Sequence, residues 1–343
     1  MIKAILQEGF VLKSKGYYKH AIEAFYKALE LDNTSAELLL EIAELYYLLN
    51  DEERALNYIE SILEKNPTHI ETLKLLKNIF INKQAWAEAI QTSKNIYSIS
   101  QTSENLTEIF KLLNRQGNFQ EIFEYETIEE TEDILYEKAF AKFILNELSE
   151  AIEYINKALL LKTNNKNLLL KGRILYRMKN KDECLQILKD LDLSVEDAEL
   201  MNFVGLLEQY KCNFKKAIEY FLKAVKLDPT NDEYYYNCAS TYFKLGDILQ
   251  AKRYYNLAIS YNPENPNYHF ALANLYYSEK HYKRALEELD YDLFEAKLLK
   301  SIILYDSGYL AVAKKEMEKL IVEQPENELL KNYLERVEEN LKI

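Results

Sequence analysis

The sequence predicts an all-α protein, a solenoid of antiparallel helix pairs stacked one on the next. Three observations predict it. One helical pattern of small and large residues recurs along the 343-residue chain at a nearly constant period. Seven glycines and five prolines leave little room for long loops or tight β-turns, so helices with short connections are favoured. Within each segment the apolar residues fall at steps of three and four, on one helical face.

Four segments expose the pattern: 18–32, 53–67, 214–229 and 249–263. Each carries a small residue, a large one four later, and a small or apolar one three after that. Each stops at an Asp or an Asn-Pro or Asp-Pro pair, where proline cannot extend the helix. The first small residue of each segment serves as a marker. It recurs as Ala21, Ala55, Ala89, Ile122, Ala151, Cys184, Ala217, Ala251, Ala285 and Ala313, mostly 33 or 34 residues apart. The units so defined start near residues 2, 36, 70, 103, 132, 165, 198, 232, 266 and 294. Each helix of twelve to fifteen residues is marginal alone and takes its stability from its neighbours.

This pattern resembles the tetratricopeptide repeat. Residues 198–231 match almost throughout: Val204 and Gly205 stand at the apolar-glycine pair of the first helix, Ala217, Phe221 and Ala224 at the small-aromatic-small positions of the second, and Pro229 at the terminal proline. The resemblance covers essentially the whole chain and implies a right-handed superhelix of about ten repeats. It divides the chain into repeats 1–4 over 2–131, repeats 5–10 over 132–325, and a capping helix over 326–343. Two units depart from the pattern. In the unit at 103–131, Ile122 replaces the small marker and the second helix runs quickly into the acidic stretch 129–133. In the unit at 266–293 the second helix ends early, at Asp290. Repeats 3 and 6 also lack the terminal proline. Such units are either kinks in the superhelix or degenerate repeats.

The resemblance further implies that first helices line a concave face that binds protein. Their inward positions are then Arg173, Tyr176 and Arg177, with Lys166, in repeat 6; Asn202, Gln209 and Tyr210 in repeat 7; Tyr236, Asn237, Ser240 and Phe243 in repeat 8; and Phe270, Asn274 and Tyr277 in repeat 9. Aromatics, amides and a small basic cluster suit an extended peptide. An amide side chain presents both a donor and an acceptor to a peptide bond, and Tyr and Phe bury large areas with few rotors to freeze. The alternative for any one of these residues is an ordinary solvated face in a chain with 28 tyrosines. In the N-terminal half, Glu37, Glu41 and Glu44 form an acidic patch that suits a basic segment or is simply solvated. Lys74 and Asn78 match the start of a carboxylate clamp known in the family. Glu108, Asp133 and Glu137 then stand where that clamp wants Asn, Lys and Arg, so it is not expected to form.

Composition narrows the function classes. A formal net charge of −13 makes nucleic acid a poor general partner. Three scattered cysteines, Cys184, Cys212 and Cys238, and four scattered histidines form no metal-ligand spacing, and the glycines occur singly rather than in a phosphate-binding loop. No catalytic constellation, metal or cofactor is expected. With no signal-like N-terminus and no apolar run of membrane-spanning length, the chain is expected to be cytoplasmic, with no membrane partner. The favoured function is an adaptor or scaffold holding a partner peptide or helix. The rivals are an assembly factor using outer faces or the cap, and, less favoured, a nucleic-acid binder using Lys166, Arg173 and Arg177. The sequence carries no signal for oligomeric state.

Overall fold

The computed structural model describes residues 2–31, 35–127 and 129–341. Asp32, read as the stop of the first segment, lies outside them. Among the described residues there are twenty α-helices, two short 3-10 turns and no strand. The chain forms two compact units, Met1–Lys181 and Asp182–Ile343.

The first unit holds α1 (Ile2–Ser14), α2 (Tyr18–Leu29), α3 (Ala36–Leu48), α4 (Glu52–Lys65), α5 (Ile70–Asn82), α6 (Trp86–Ile99), α7 (Ser103–Gln116), a 3-10 turn (Gln120–Glu124), α8 (Glu132–Ile144), α9 (Leu148–Leu161) and α10 (Asn165–Arg177). The division between units falls at the start of α11 (Lys181–Gln186), which a 3-10 turn (Ile187–Lys189) follows. The second unit continues with α12 (Ala198–Tyr210), α13 (Phe214–Leu227), α14 (Asp232–Leu245), α15 (Ile248–Tyr261), α16 (Pro266–Ser278), α17 (Tyr282–Glu287), α18 (Phe294–Asp306), α19 (Leu310–Glu323) and α20 (Glu328–Leu341). The ten first helices begin at the unit starts read from the sequence. Side-chain oxygens cap most of them: Ser35, Thr102, Thr131, Asn164, Asp197, Asn231 and Asn265 each accept from a backbone N–H of the first turn.

Within each unit a second helix packs on its own first helix and on the first helix of the next pair. First helices of successive pairs also touch: α3 and α5, α8 and α10 in the first unit, and α12, α14, α16, α18 and α20 in sequence in the second. First helices therefore crowd together on the inner side of each stack, and second helices lie outside. α20 closes the second unit by burying Leu330 and Val337 completely against Met317 and Leu320.

The helix pairs are built on two constraints. All ten markers, Ile122 and Cys184 included, are 0% exposed. In every pair, the residue five before the marker has a left-handed backbone: Gly16, Asn50, Gln84, Gly117, Asn146, Lys179, Cys212, Gly246, Lys280 and Gly308. The next residue then donates its N–H back to the first helix, as Asn213 does to Glu208 O (2.9 Å) and Asp247 to Tyr242 O (2.9 Å). This is the helix-ending motif that glycine suits best, since it alone has no Cβ to resist that conformation. Six of the ten positions use another residue, and no residue type marks them in the sequence.

The second constraint is complementary size. Gly9 and Gly205, each twelve before a marker, face Phe25 and Phe221, each four after it. A Cβ on either glycine would fall 2.7 or 2.6 Å from the ring. Phe110 occupies the same place in the fourth pair and is fully buried, its ring edge-on to Tyr125 at 5.8 Å. The second helix of this pair is reduced to the 3-10 turn at Gln120–Glu124, whose Ile122 packs in the same cluster as Phe110. The second helix of the ninth pair is likewise cut to six residues, α17, which leaves a cavity of about 360 Å³ lined by Leu289, Lys297, Lys300 and Glu323. The sequence did not foretell a third shortening, at α11.

Replacing Gly205 by Ala is expected to destabilise by about 1–3 kcal/mol through overpacking, and Phe221→Leu in the same chain to recover part of it, both read by urea unfolding. Gly246→Ala is expected to lose about 1–2 kcal/mol from backbone conformation alone, because no atom lies within 4 Å of the added methyl.

Candidate inner-face site

The inner face of the second unit is formed by α12, α14 and α16. At its centre are two asparagines from adjacent first helices, Asn202 (3% exposed) and Asn237 (7% exposed). Asn237 Nδ2 donates to Asn202 Oδ1 at 2.9 Å. The bond leaves one donor, Asn202 Nδ2, and one acceptor, Asn237 Oδ1, with no partner among the described residues. Between the same two helices, Gln209 Nε2 donates to Thr241 Oγ1 (2.7 Å), Lys244 Nζ donates to Gln209 Oε1 (3.1 Å), and Thr241 Oγ1 donates to Asn237 O (2.7 Å). Gln209 thus has its amide engaged within the protein.

The aromatic members are anchored from behind. Tyr236 is half-buried, stacked on Tyr268 at 5.0 Å and tilted against Tyr255 at 5.9 Å. Tyr268 is fixed by donating its hydroxyl to Asp232 Oδ2 (2.8 Å), which also accepts from Asn262 Nδ2 (2.9 Å). Burial raises the hydroxyl pKa of Tyr236, Tyr255 and Tyr268, so all three stay neutral donors. Phe243 and Phe270 are half-buried against the same core as Tyr236. Asn274 Nδ2 donates to the Phe270 carbonyl (3.0 Å), and Tyr277 donates its hydroxyl to Asp306 Oδ2 (2.6 Å). Cys238, behind Asn237, is fully buried, and burial pushes its thiol up to about 12. Cys184 is raised to about 11 for the same reason. Neither is a thiolate near neutral pH.

On the inner face of the first unit, α10 carries Arg173, Tyr176 and Arg177. Arg173 is half-buried, and Tyr176 and Arg177 are exposed. The guanidinium of Arg177 lies 4.3 Å over the Phe143 ring and donates from Nη1 to the Phe143 carbonyl (3.0 Å). Lys166 lies 3.7 Å over the Tyr136 ring and meets Asp133 at 3.5 Å and Glu137 at 4.0 Å. Charges here are therefore answered internally. The same holds further toward the N-terminus, where Lys13 bridges Glu41 (2.5 Å) and Glu44 (2.6 Å) and Glu108 takes both Lys77 and Lys111. Glu137 is 7% exposed and accepts from Asn114 Nδ2 at 2.8 Å, and burial raises its carboxyl pKa.

Reading residue positions missed the bond between Asn202 and Asn237, the contributions of Thr241 and Lys244, and the tyrosine backing of Tyr236. Among the described residues no group of three or more His, Cys, Asp or Glu is placed to hold a metal, and no helix is long and apolar enough to cross a membrane.

Two outcomes check this geometry. Asn237→Ala strands Asn202 Oδ1 in a buried place and is expected to destabilise by about 1–3 kcal/mol. The Asn202→Ala, Asn237→Ala double variant should lose less than the two single losses combined, in a double-mutant cycle read by urea unfolding. Glu137 carries a raised carboxyl pKa in the folded state, so its contribution is fully favourable below the unfolded carboxyl range and is lost as pH rises through the folded value. Glu137→Gln, which still accepts from Asn114, should therefore gain stability relative to wild type at neutral pH, with the gain vanishing in acid.

Comparison with known proteins agrees with this architecture. Family models described as tetratricopeptide repeat match residues 14–79, and residues 132–165 with 232–265; one described as TPR repeat matches 213–246. A TPR repeat-containing protein of Methanocaldococcus jannaschii is 25% identical over 246 residues, 70% of this chain; the match spans only 35% of that protein's length. Among solved structures, the APC/C hetero-tetramer Cut9-Hcn1 aligns over 98% of this chain and 76% of that one, with a TM-score of 0.61 and 13% identity, a likeness of fold. From the repeat ladder, the helix pairs and these matches together, the chain is a tetratricopeptide-repeat protein.

Proposed function

We propose that the chain is a protein-interaction scaffold, not an enzyme, and that it holds an extended partner segment along the inner face formed by α12, α14 and α16. Repeat solenoids of this kind commonly serve as interaction scaffolds and complex subunits. The observation that carries the inner-face reading is the Asn202–Asn237 pair. It is rigidly placed and leaves one donor and one acceptor, the complement of one peptide unit, without regard to side-chain sequence. Tyr236, Phe270 and Tyr277, already held by their own contacts, add area that needs no ordering on binding. On α10 of the first unit, Arg173, Tyr176 and Arg177 are proposed separately, as groups that meet an acidic or aromatic segment. The work is assigned to the cytoplasm, where thiols such as those of Cys212 and Cys238 stay reduced.

A second reading has its own observation. Leu249 on α15 is 77% exposed and Val322 on α19 is 79% exposed, both on outer helices, where a complex subunit would present apolar contacts. Affinity purification with quantitative mass spectrometry separates the two. Asn274→Arg, which places a long charged side chain on the inner face, is expected to lose at least about tenfold of the retained partner, a change of ~1.4 kcal/mol, while Leu249→Glu retains it. The reverse pattern supports the outer-face reading.

A further inference from the structure

The residue thirteen before the marker is apolar in most pairs; Lys171, after the full-length α9, is one exception. Ile42, Ile109, Cys238 and Leu272 there are 0–1% exposed, and Ile42 and Leu272 pack in the same clusters as Phe25 and Tyr255. Two of the pairs that follow a shortened second helix carry a lysine instead: Lys138, after the 3-10 turn at Gln120–Glu124, and Lys300, after α17.

Lys138 is the more telling of the two. It is only 7% exposed, yet among the described residues no carboxylate makes an ion pair with its ammonium, and Glu130 acts on it only from a longer distance. Lys142, one turn along, is by contrast held by both Glu147 and Glu150. Lys138 Nζ lies 5.8 Å from the centre of the Tyr154 ring, and Lys157 Nζ, exposed and also without a carboxylate, lies 5.7 Å from the same centre. Phe123 of the 3-10 turn flanks that ring at 6.2 Å. Burial lowers the amine pKa of Lys138; Lys157 lowers it further and Glu130 opposes both. Buried charges in proteins are ordinarily paired, and a nearly buried lysine facing a second cation is unfavourable until an anion joins them.

We propose that the surface around Tyr154, beside the Gln120–Glu124 turn, is an oxyanion-binding site, in which Lys138 and Lys157 jointly hold one phosphate or carboxylate group. Free phosphate and an acidic partner side chain share this chemistry. The site belongs to the first unit and does not depend on the inner-face reading. The test is thermal unfolding of the full chain in phosphate, acetate or chloride at matched ionic strength, for wild type, Lys138→Met and Lys157→Ala. Phosphate, acetate or both should raise the wild-type midpoint above chloride by roughly 2 °C or more, and both variants should lose that rise. A phosphate-only rise assigns a phosphoryl ligand, and a rise in acetate a carboxylate. In chloride, Lys138→Met should melt no lower than wild type, because it removes an unpaired buried charge. A wild-type midpoint indifferent to the anion, an equal rise in all three chains, or a Lys138→Met chain that melts lower in chloride would overturn the proposal. Lys157→Ala, at an exposed position, keeps the test decisive if Lys138→Met fails to fold.

Discussion

The structure depends on the close approach of two helices at a fully buried small residue, set up by a left-handed turn five residues earlier. The turn reverses the chain, and the backbone bond back to the first helix fixes where the second begins. The marker then lets the two backbones meet. Neither feature is sufficient alone, because a single pair buries too little apolar surface to stand in water. Repeated along each unit, they carry first helices to its inner side and second helices to its outer side, and so decide which residues a partner can reach.

Exceptions to the rule are as informative as its instances. The fourth pair keeps the left-handed Gly117 and the buried marker Ile122 but places Phe110 where Gly205 or Ala239 stands in other pairs. The turn survives and the second helix does not. The turn and marker set the register in every pair, but the residue twelve before the marker does not by itself set the length of the second helix: Lys77 stands there before the full α6, and Gly172 and Ala273 before the shortened α11 and α17. Lys138 and Lys300 stand in the first helices that follow two of the shortened second helices.

Much of this was legible in the sequence. Period, unit starts and marker ladder follow from residue identity, because small residues at a helix contact leave a recurrent trace. The irregular fourth and ninth units were visible too, through Ile122 and the early end near Asp290. The shortened α11 was not, since Cys184, Ile187 and Leu191 continue an apolar spacing that a full helix would also show. Six of the left-handed positions were hidden because Asn, Gln, Lys and Cys share no chemistry that marks them; only their distance from the marker does. At the site, Asn202, Asn237 and Tyr236 were picked out as inward positions, but not the bond that joins the asparagines. That contact joins adjacent first helices at positions fifteen and fourteen before their markers, an offset that depends on how successive pairs pack. Arg177 and Lys166 read as free cations, yet Phe143, Asp133 and Glu137 engage them.

The central claim is that the inner face of the second unit is the surface a partner occupies. Hydrogen–deuterium exchange, followed by mass spectrometry with and without the retained partner, tests it most directly. The account predicts added protection in α12, α14 and α16, with α13, α15 and α19 unchanged. Protection confined to α13, α15 and α19 would contradict it and move the binding surface to the outside of the stack.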